Sequence, residues 1–589
     1  MTGTGDQSEN RQGRSPRARR GLTVELFLYG LVFGLGLALR LVALGRWPLL
    51  DEEAGLALAA WRFARGLPAS LRGHSPLLFH GNALLFFLTG GSDALARLGS
   101  VAFGSLLVLL PYGLRRYLGR IGALTASVLL AISSSFVYFS WAVDGSVVVA
   151  FCALGLLVVS AGVLEGRRPA YLLAAAGLLV VALLAGPSVY TLLAVLLTFP
   201  LFLRIWGRFR QDRGQLGQLR DVWHGLSTDW HSGRSALSLG VTLFLVLGLA
   251  FTYNPAGLQM ALDQFGKWVS GFHFLGASPW YRTLLLLLLY EGLPLFVGVV
   301  GFFLERARRD TLTLLLRYWL LFAVLFSIVP GYRPPNSILL ILVPLILAAG
   351  QAVERLWPKL QVTARQPLFW GLVALSLVIS AAAYVQLAIY LSVPASPYLM
   401  RIAALCVFVV SAYAFVWSLS GPEVPQRAAV VSLLLLLWFG WVRAEVRLNY
   451  RRARDPVEPM VGVATSPDVL ELAQQAAELS SHLEGDERVM AWQVDERLEV
   501  PLGWYLRGFE GVNYAAKVPA ELDSGGVIVP VGVPAPENYV GLHFRLRSAW
   551  AGGRYPLLEW LRWWAGQKSA LAGRQMDEEV VLWVGQSLR

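Results

Sequence analysis

Thirteen apolar runs, most of them close to the length needed to cross a bilayer, constrain this 589-residue chain before any motif is read. A hydrocarbon core of roughly 30 Å takes about 20 apolar residues as a helix, because lipid leaves every backbone polar group to be paired inside the segment. The runs fall at Leu22–Leu44, Leu95–Leu114, Ile121–Ser140, Val147–Leu164, Tyr171–Leu184, Tyr190–Leu203, Leu237–Phe251 and Leu284–Leu304. Five more lie at about 311–329, 335–352, 367–391, 400–419 and 426–442. With 56% hydrophobic and only 15% charged residues, the chain is an α-helical polytopic membrane protein and not a string of soluble domains.

The charges set the topology. A net charge of +12 would suggest nucleic acid in a soluble protein, but here the arginines gather at the ends of apolar runs, the positive-inside pattern. No nucleic-acid partner is expected. Arg11, Arg14, Arg17, Arg19 and Arg20 put the N-terminus in the cytoplasm, with residues 1–21 read as a disordered basic tail. The transmembrane domain then covers 22–446, and an odd number of crossings leaves 447–589 outside as an α/β domain. There we read helices over Val469–Leu483 and Tyr555–Ala565 and strands over Arg488–Val494 and Gly526–Val533. Arg443, Arg447, Arg451, Arg452 and Arg454 follow the last run on the outer side, which means either a miscounted span or an external anionic partner such as a lipid phosphate; the earlier loops fit the rule and favour the latter. Cys152 and Cys406 both lie in apolar runs, so no disulfide framework or cysteine metal site is expected. The chain has no P-loop, no dinucleotide fingerprint and no His-Glu-x-x-His, which argues against ATP-driven transport.

The first outer loop, about 46–94, is long. Glu52–Arg65 suits a helix lying along the interface, and 76–88 a second, half-inserted element. Asp51-Glu52-Glu53 opens this loop and His74-Ser75-Pro76-Leu77-Leu78-Phe79-His80 follows. Asp144 emerges on the same side. Such acids serve as a general base, as ligands of a divalent cation, or simply as the favourable acidic first turn of a helix. Asp144 is equally suited to capping a loop. Arg282 and Arg333 match phosphate oxygens as forks, or anchor spans at the interface. His74 and His80 are donors to a phosphate or hydroxyl, or structural. Glu291 lies within an apolar run, where a carboxylate costs a few kcal/mol; it lines a catalytic or lipid cavity or bonds a neighbouring helix.

The order of these features resembles the GT-C membrane glycosyltransferases of the protein-mannosyltransferase and aminoarabinose-transferase type, and more narrowly the prokaryotic flippase-activity-associated protein family. It is carried by Asp51-Glu52, by His74 through Leu84, by Ser92-Asp93-Ala94-Leu95-Ala96-Arg97-Leu98, by Pro279-Trp280-Tyr281 leading to Leu289-Tyr290-Glu291, by Thr465-Ser466-Pro467-Asp468-Val469, and by Trp504-Tyr505-Leu506-Arg507. Leu50 stands where that family usually has a histidine, and Ser140–Ser146 lacks its arginines. The resemblance implies transfer of a sugar, with inversion, from a polyprenyl-phosphate-linked donor to an extracytoplasmic protein, lipid or glycan acceptor at the cell membrane. It makes Asp51 the general base, with Glu52 and Asp144 beside it. Substrate would be bound by His74, His80, Arg282, Glu291 and Arg333. No obligatory metal is expected, a divalent cation between Asp51 and Asp144 staying open. A non-catalytic accessory protein handling polyprenyl-linked sugars is the alternative.

Overall fold

The computed structural model describes residues 16–164, 168–210, 230–273, 279–304, 311–516, 525–534, 539–550, 555–566 and 575–585. Residues 1–15, most of the expected 204–234 cytoplasmic loop, and Arg306, Arg308 and Arg309 lie outside them. The first helix, α1 (Pro16–Leu41), starts within the stretch expected to be tail. It is followed by the loop helices α2 (Asp51–Ala64) and α3 (Pro76–Thr89), then α4 (Asp93–Leu107) and a short turn α5 (Arg115–Leu118). Next come α6 (Arg120–Ile132), α7 (Ser134–Ser140), α8 (Ser146–Leu164), α9 (Arg168–Ala185), α10 (Ser188–Arg210), α11 (Trp230–Gly248) and the amphipathic α12 (Gly257–Ser270). The bundle closes with α13 (Arg282–Tyr290), α14 (Gly292–Leu304), α15 (Thr311–Ile328), α16 (Ile338–Thr363), α17 (Pro367–Ser392), α18 (Ser396–Ser420) and α19 (Glu423–Glu445).

Among the described residues nine helices are long and apolar enough to span, and eleven if each of two bent pairs counts once. The two remaining expected runs are the shorter apolar helices Ala170–Ala185 and Gly233–Gly248. Burial sorts the helices by position. From Ile338 to Ala352 every residue of α16 is buried, so it is the spine of the bundle. By contrast α18 buries only Val416 and turns its apolar surface outward, as a lipid-facing helix must.

The two bent pairs answer one requirement. A helix broken at membrane depth leaves orphan carbonyls on one side of the break and orphan N–H groups on the other. Between α6 and α7, bent by 53°, Arg40 donates to the carbonyls of Leu130 and Ala131 (both 3.1 Å), and its Nε reaches Ser140 Oγ at 3.1 Å. Glu291 takes the other side, accepting from Ser133 Oγ at 2.6 Å and Ser135 N at 2.8 Å, while Trp441 Nε1 donates to its second oxygen at 3.1 Å. Glu291 therefore does not sit inside a continuous helix, as its apolar run implies; it stands at the 102° break between α13 and α14.

Beyond α19 a six-stranded mixed sheet forms, in the order β1-β5-β6-β4-β2-β3. Its strands are β1 (Val463–Thr465), β2 (Trp492–Asp495), β3 (Val512–Ala515), β4 (Gly526–Pro530), β5 (Tyr539–Trp550) and β6 (Gln575–Gly585). β2 pairs in parallel with β3 and β4, and the long β5–β6 ladder is antiparallel. α20 (Asp468–Glu484) packs on this sheet through Val469, Leu472 and Ala476, and α21 (Glu499–Tyr505) lies between it and α2. α22 (Leu557–Ala565) carries Trp560, Trp563 and Trp564 back to the bundle, where Trp563 sits under Arg447 at 3.7 Å.

Four of the five arginines after the last span have protein partners where an external lipid phosphate was expected, and Arg451 is exposed. Arg454 Nη2 meets Glu53 at 3.1 Å, Arg447 Nε meets the fully buried Glu458 at 3.1 Å, and Arg452 reaches Asp455 at 3.7 Å. Arg443 lies over the rings of Tyr384 and Trp564. The contact of Arg454 with Glu53 also places the chain after α19 on the same side of the bundle as Asp51.

Candidate functional site

The site is built on the first turn of α2. Three acids in a first turn suit the positive end of the helix dipole, and each then takes a different task. Glu53 is 3% exposed. It accepts from Leu50 N at 3.0 Å and from Val143 N at 3.3 Å, and it is clamped by Arg97 and Arg454, each at 3.1 Å. Burial pushes its carboxyl up, but the two guanidiniums outweigh burial and hold it below the ordinary glutamate value. Arg97 also donates to the carbonyls of Leu44, Trp47 and Pro48, so this one cluster fixes the approach to Asp51.

Asp51 faces the C-terminal sheet. Arg547 Nε lies 2.5 Å from its Oδ2, and Thr465 Oγ1 donates to Oδ1 at 3.4 Å. The sheet makes that contact by register: Thr465, Arg547 and Glu578 are directly opposed on β1, β5 and β6, and Arg547 Nη1 also meets Glu578 at 2.8 Å. A register shift between Arg545 and Arg547 brings this row about; such bulges re-aim side chains. Burial raises the Asp51 carboxyl above the ordinary aspartate value, against the lowering effect of Arg547.

Glu52 is exposed, and together with Asp144 and Arg282 it bears electrostatically on the phenol of Tyr332. That phenol is raised by desolvation first, though much of Tyr332 is exposed, then by Glu52 and Asp144, with Arg282 opposing. Asp144 is held by Ser146 N at 3.2 Å, Ser146 Oγ at 2.8 Å and Asn336 Nδ2 at 2.7 Å. The following Gly145 is required by a close approach, since a Cβ there would lie 1.8 Å from the Ala185 carbonyl oxygen. His74 sits beside α2, its Cε1 3.8 Å from where a Cβ on Gly55 would be, one turn along from Asp51. Burial and then the charge of Lys267 lower His74 to about 4, so it is neutral at ordinary pH. Lys267, on α12, is exposed and flanks Gly73.

Asp51, Glu52, Asp144, His74 and Arg282 thus gather on one rim. His80, Glu291 and Arg333 do other work. His80 donates from Nδ1 to Leu247 O at 2.9 Å and accepts on Nε2 from Asn254 at 3.0 Å, a neutral tautomer tying α3 to the end of α11. Arg333 is 7% exposed and donates to the carbonyls of Ile328 and Gly331 at the end of α15. In that loop Asn336 is the side chain that bonds an acid, Asp144, while Tyr332 lies within electrostatic reach of Glu52 and Asp144. Sequence reasoning missed Tyr332, Lys267 and Arg547. No local signal singled out Arg547, whose place follows from the pairing of β5 with β1 and β6. Among the described residues no three His, Cys, Asp or Glu side chains gather as a metal-ligand set.

The arrangement of a helical bundle, a first loop of two short helices with acids at its head, and a covering C-terminal sheet is shared by solved structures. ArnT from Cupriavidus metallidurans in the apo state shares it at 15% identity and a TM-score of 0.55, over 97% of this chain and 99% of that one. The same protein bound to undecaprenyl phosphate matches at 17% identity and a TM-score of 0.53, over 85% of this chain and 87% of that one. At such identities the likeness shows the fold. No family model and no curated protein matches the sequence.

Proposed function

We propose that this chain is a membrane glycosyltransferase that moves a sugar from a polyprenyl-phosphate-linked donor to an acceptor at the outer rim, with Asp51 as general base. The observation that carries this reading is the convergence of Asp51, Glu52 and Asp144 with Arg282 and Tyr332 at one rim, on a fold whose solved example binds undecaprenyl phosphate. In the reaction Asp51 takes the proton of the acceptor as its nucleophile attacks the anomeric carbon. The bond from that carbon to the phosphate oxygen breaks, and the pair of electrons leaves with the carrier phosphate. Arg282 and Lys267 supply positive charge to that leaving group, with neutral His74 as a hydrogen-bonding neighbour. Arg547 must loosen its hold for Asp51 to accept a proton, and Glu578 is already its second partner. Asp144 spends its oxygens on Ser146 and Asn336, which supports transfer without an obligatory metal; a chelator should leave turnover unchanged.

The grip of Arg547 on Asp51 is also the observation that favours a second reading, an accessory protein that binds the lipid-linked sugar without cleaving it. Full-length protein in lipid, incubated with polyprenyl-phosphate sugars, separates the two. Asp51→Asn should lower turnover about 100- to 10,000-fold, and unchanged turnover would remove Asp51 from the chemistry. Carrier binding with no sugar release by the native chain would establish the accessory role.

A further inference from the structure

At the opposite end of α2, roughly 20 Å from Asp51 by helical rise, lies a cavity of about 400 Å³ lined by Trp61, Arg65, Arg488 and Arg507. Its shape follows from small residues. Ala473 and Ala477, one turn apart on α20, leave room on one wall. Gly91 sits beneath two tryptophans, where a Cβ would lie 3.0 Å from Trp61 and 3.1 Å from Trp504. Each ring carries a guanidinium: Arg65 lies 4.4 Å over Trp61, and Arg507 lies 3.7 Å over Trp504. A stacked guanidinium is held flat with its N–H edge turned away from the ring, the arrangement that suits a fork of two parallel bonds to an oxyanion.

The charge in the cavity is not balanced from within. Arg507 spends two nitrogens on the carbonyls of Trp504 and Gly91, while Arg65 and Arg488 are exposed and stand in no ion pair among the described residues. One carboxylate, Glu487, joins the three arginines in the lining. Asp93, behind the wall, is taken up by Trp504 Nε1 at 2.7 Å and the Tyr505 hydroxyl at 3.1 Å. Burial lowers Arg507 below the usual arginine value; the charges of Asp93 and Tyr505 oppose this, and the like charges of Arg488 and Arg65 add to it by less. Three cations facing the carboxylates of Glu487 and Asp93 leave positive charge in excess, a cost that a bound anion would relieve.

We infer that this cavity is a second, anion-binding site that takes a phosphate group carried on a sugar or on a lipid headgroup, separate from the rim around Asp51. The volume is that of a small-ligand pocket, and the exposed Arg65 and Arg488 leave both sources within reach. Neither source requires the transfer reaction to be as proposed above.

Calorimetric titration of the full chain, in nanodiscs of phosphatidylcholine, with glucose 1-phosphate and with glucose tests this. Saturable binding of the phosphate ester alone is expected, about tenfold weaker in Arg65→Gln and about a hundredfold weaker in Arg65→Gln/Arg488→Gln. Both side chains are exposed, so these variants should keep the fold, which thermal unfolding checks. Arg282→Gln should leave this binding as it is, which separates the cavity from the rim. Adding phosphatidylglycerol to the nanodiscs identifies the source: displacement of glucose 1-phosphate assigns the cavity to lipid headgroups, and unaltered binding assigns it to phosphorylated sugars. Absence of saturable binding, or equal affinity in the double arginine variant, would overturn the proposal.

Discussion

Asp51 and Glu291 are both carboxylates in a membrane-protein frame, and the protein treats them in opposite ways. Glu291 is fully buried, and its oxygens receive a hydroxyl, a backbone N–H and an indole N–H, all from the chain itself. Asp51 keeps 31% of its side chain accessible and is held by one arginine that already has another partner and by a long bond from the Thr465 hydroxyl. A saturated acid of the first kind fixes geometry; a partly satisfied acid of the second kind can exchange a proton or a partner. The contrast separates frame from chemistry better than residue type does, because Glu53, two positions from Asp51, belongs with Glu291.

That division can be broken by measurement. The largest effect on stability is expected from Glu53→Ala, which strands Arg97 and Arg454 in a buried site and should cost about 3–5 kcal/mol, read as loss of folded protein in thermal or denaturant unfolding. Full retention of stability would put Glu53 with the chemical acids. Glu291→Leu comes next: it leaves Ser133, Ser135 and Trp441 without their acceptor, at about 1–3 kcal/mol for an abandoned buried group. A loss of turnover with unaltered unfolding would move Glu291 to the site. The smallest effect is on Asp51's titration. Its carboxyl is raised by burial, and a base works only when deprotonated, so turnover should fall as pH drops through a value above that of an ordinary aspartate. Arg547→Gln removes a charge that lowers this carboxyl, so the acid limb should move to higher pH; a limb that stays put would dissociate Arg547 from Asp51.

Much of the frame was legible because membrane helices announce themselves by length and apolarity, and arginines mark their ends. The expected segments recur as spans, bent pairs or short apolar helices. The breaks were not legible, since the α13–α14 run reads as one continuous apolar segment and only the awkward Glu291 hinted at a discontinuity. The C-terminal sheet was half visible. Its α20 matches the expected helix to within a residue or so, whereas β5 and β6, its longest strands, carry charges along their length and gave no clean alternation. Within the site, Asp51, Glu52, Asp144 and Arg282 were readable as polar residues stranded at membrane boundaries. Arg547 was not, because its place depends on a pairing register and a bulge, which local sequence does not encode. Arg333 misled for a related reason: beside a span an arginine either reaches out or turns back to cap the helix, and its neighbours do not tell which.

The contact between Glu53 and Arg454 joins residues 401 positions apart. At a synthesis rate of about 5–20 residues per second, roughly 20 to 80 seconds pass between the appearance of the acid and that of its second arginine. Arg97 arrives only 44 residues after Glu53, within a few seconds at the same rate. The first loop can therefore be held early by one guanidinium, while the second closes over it only after the whole helical bundle has been made.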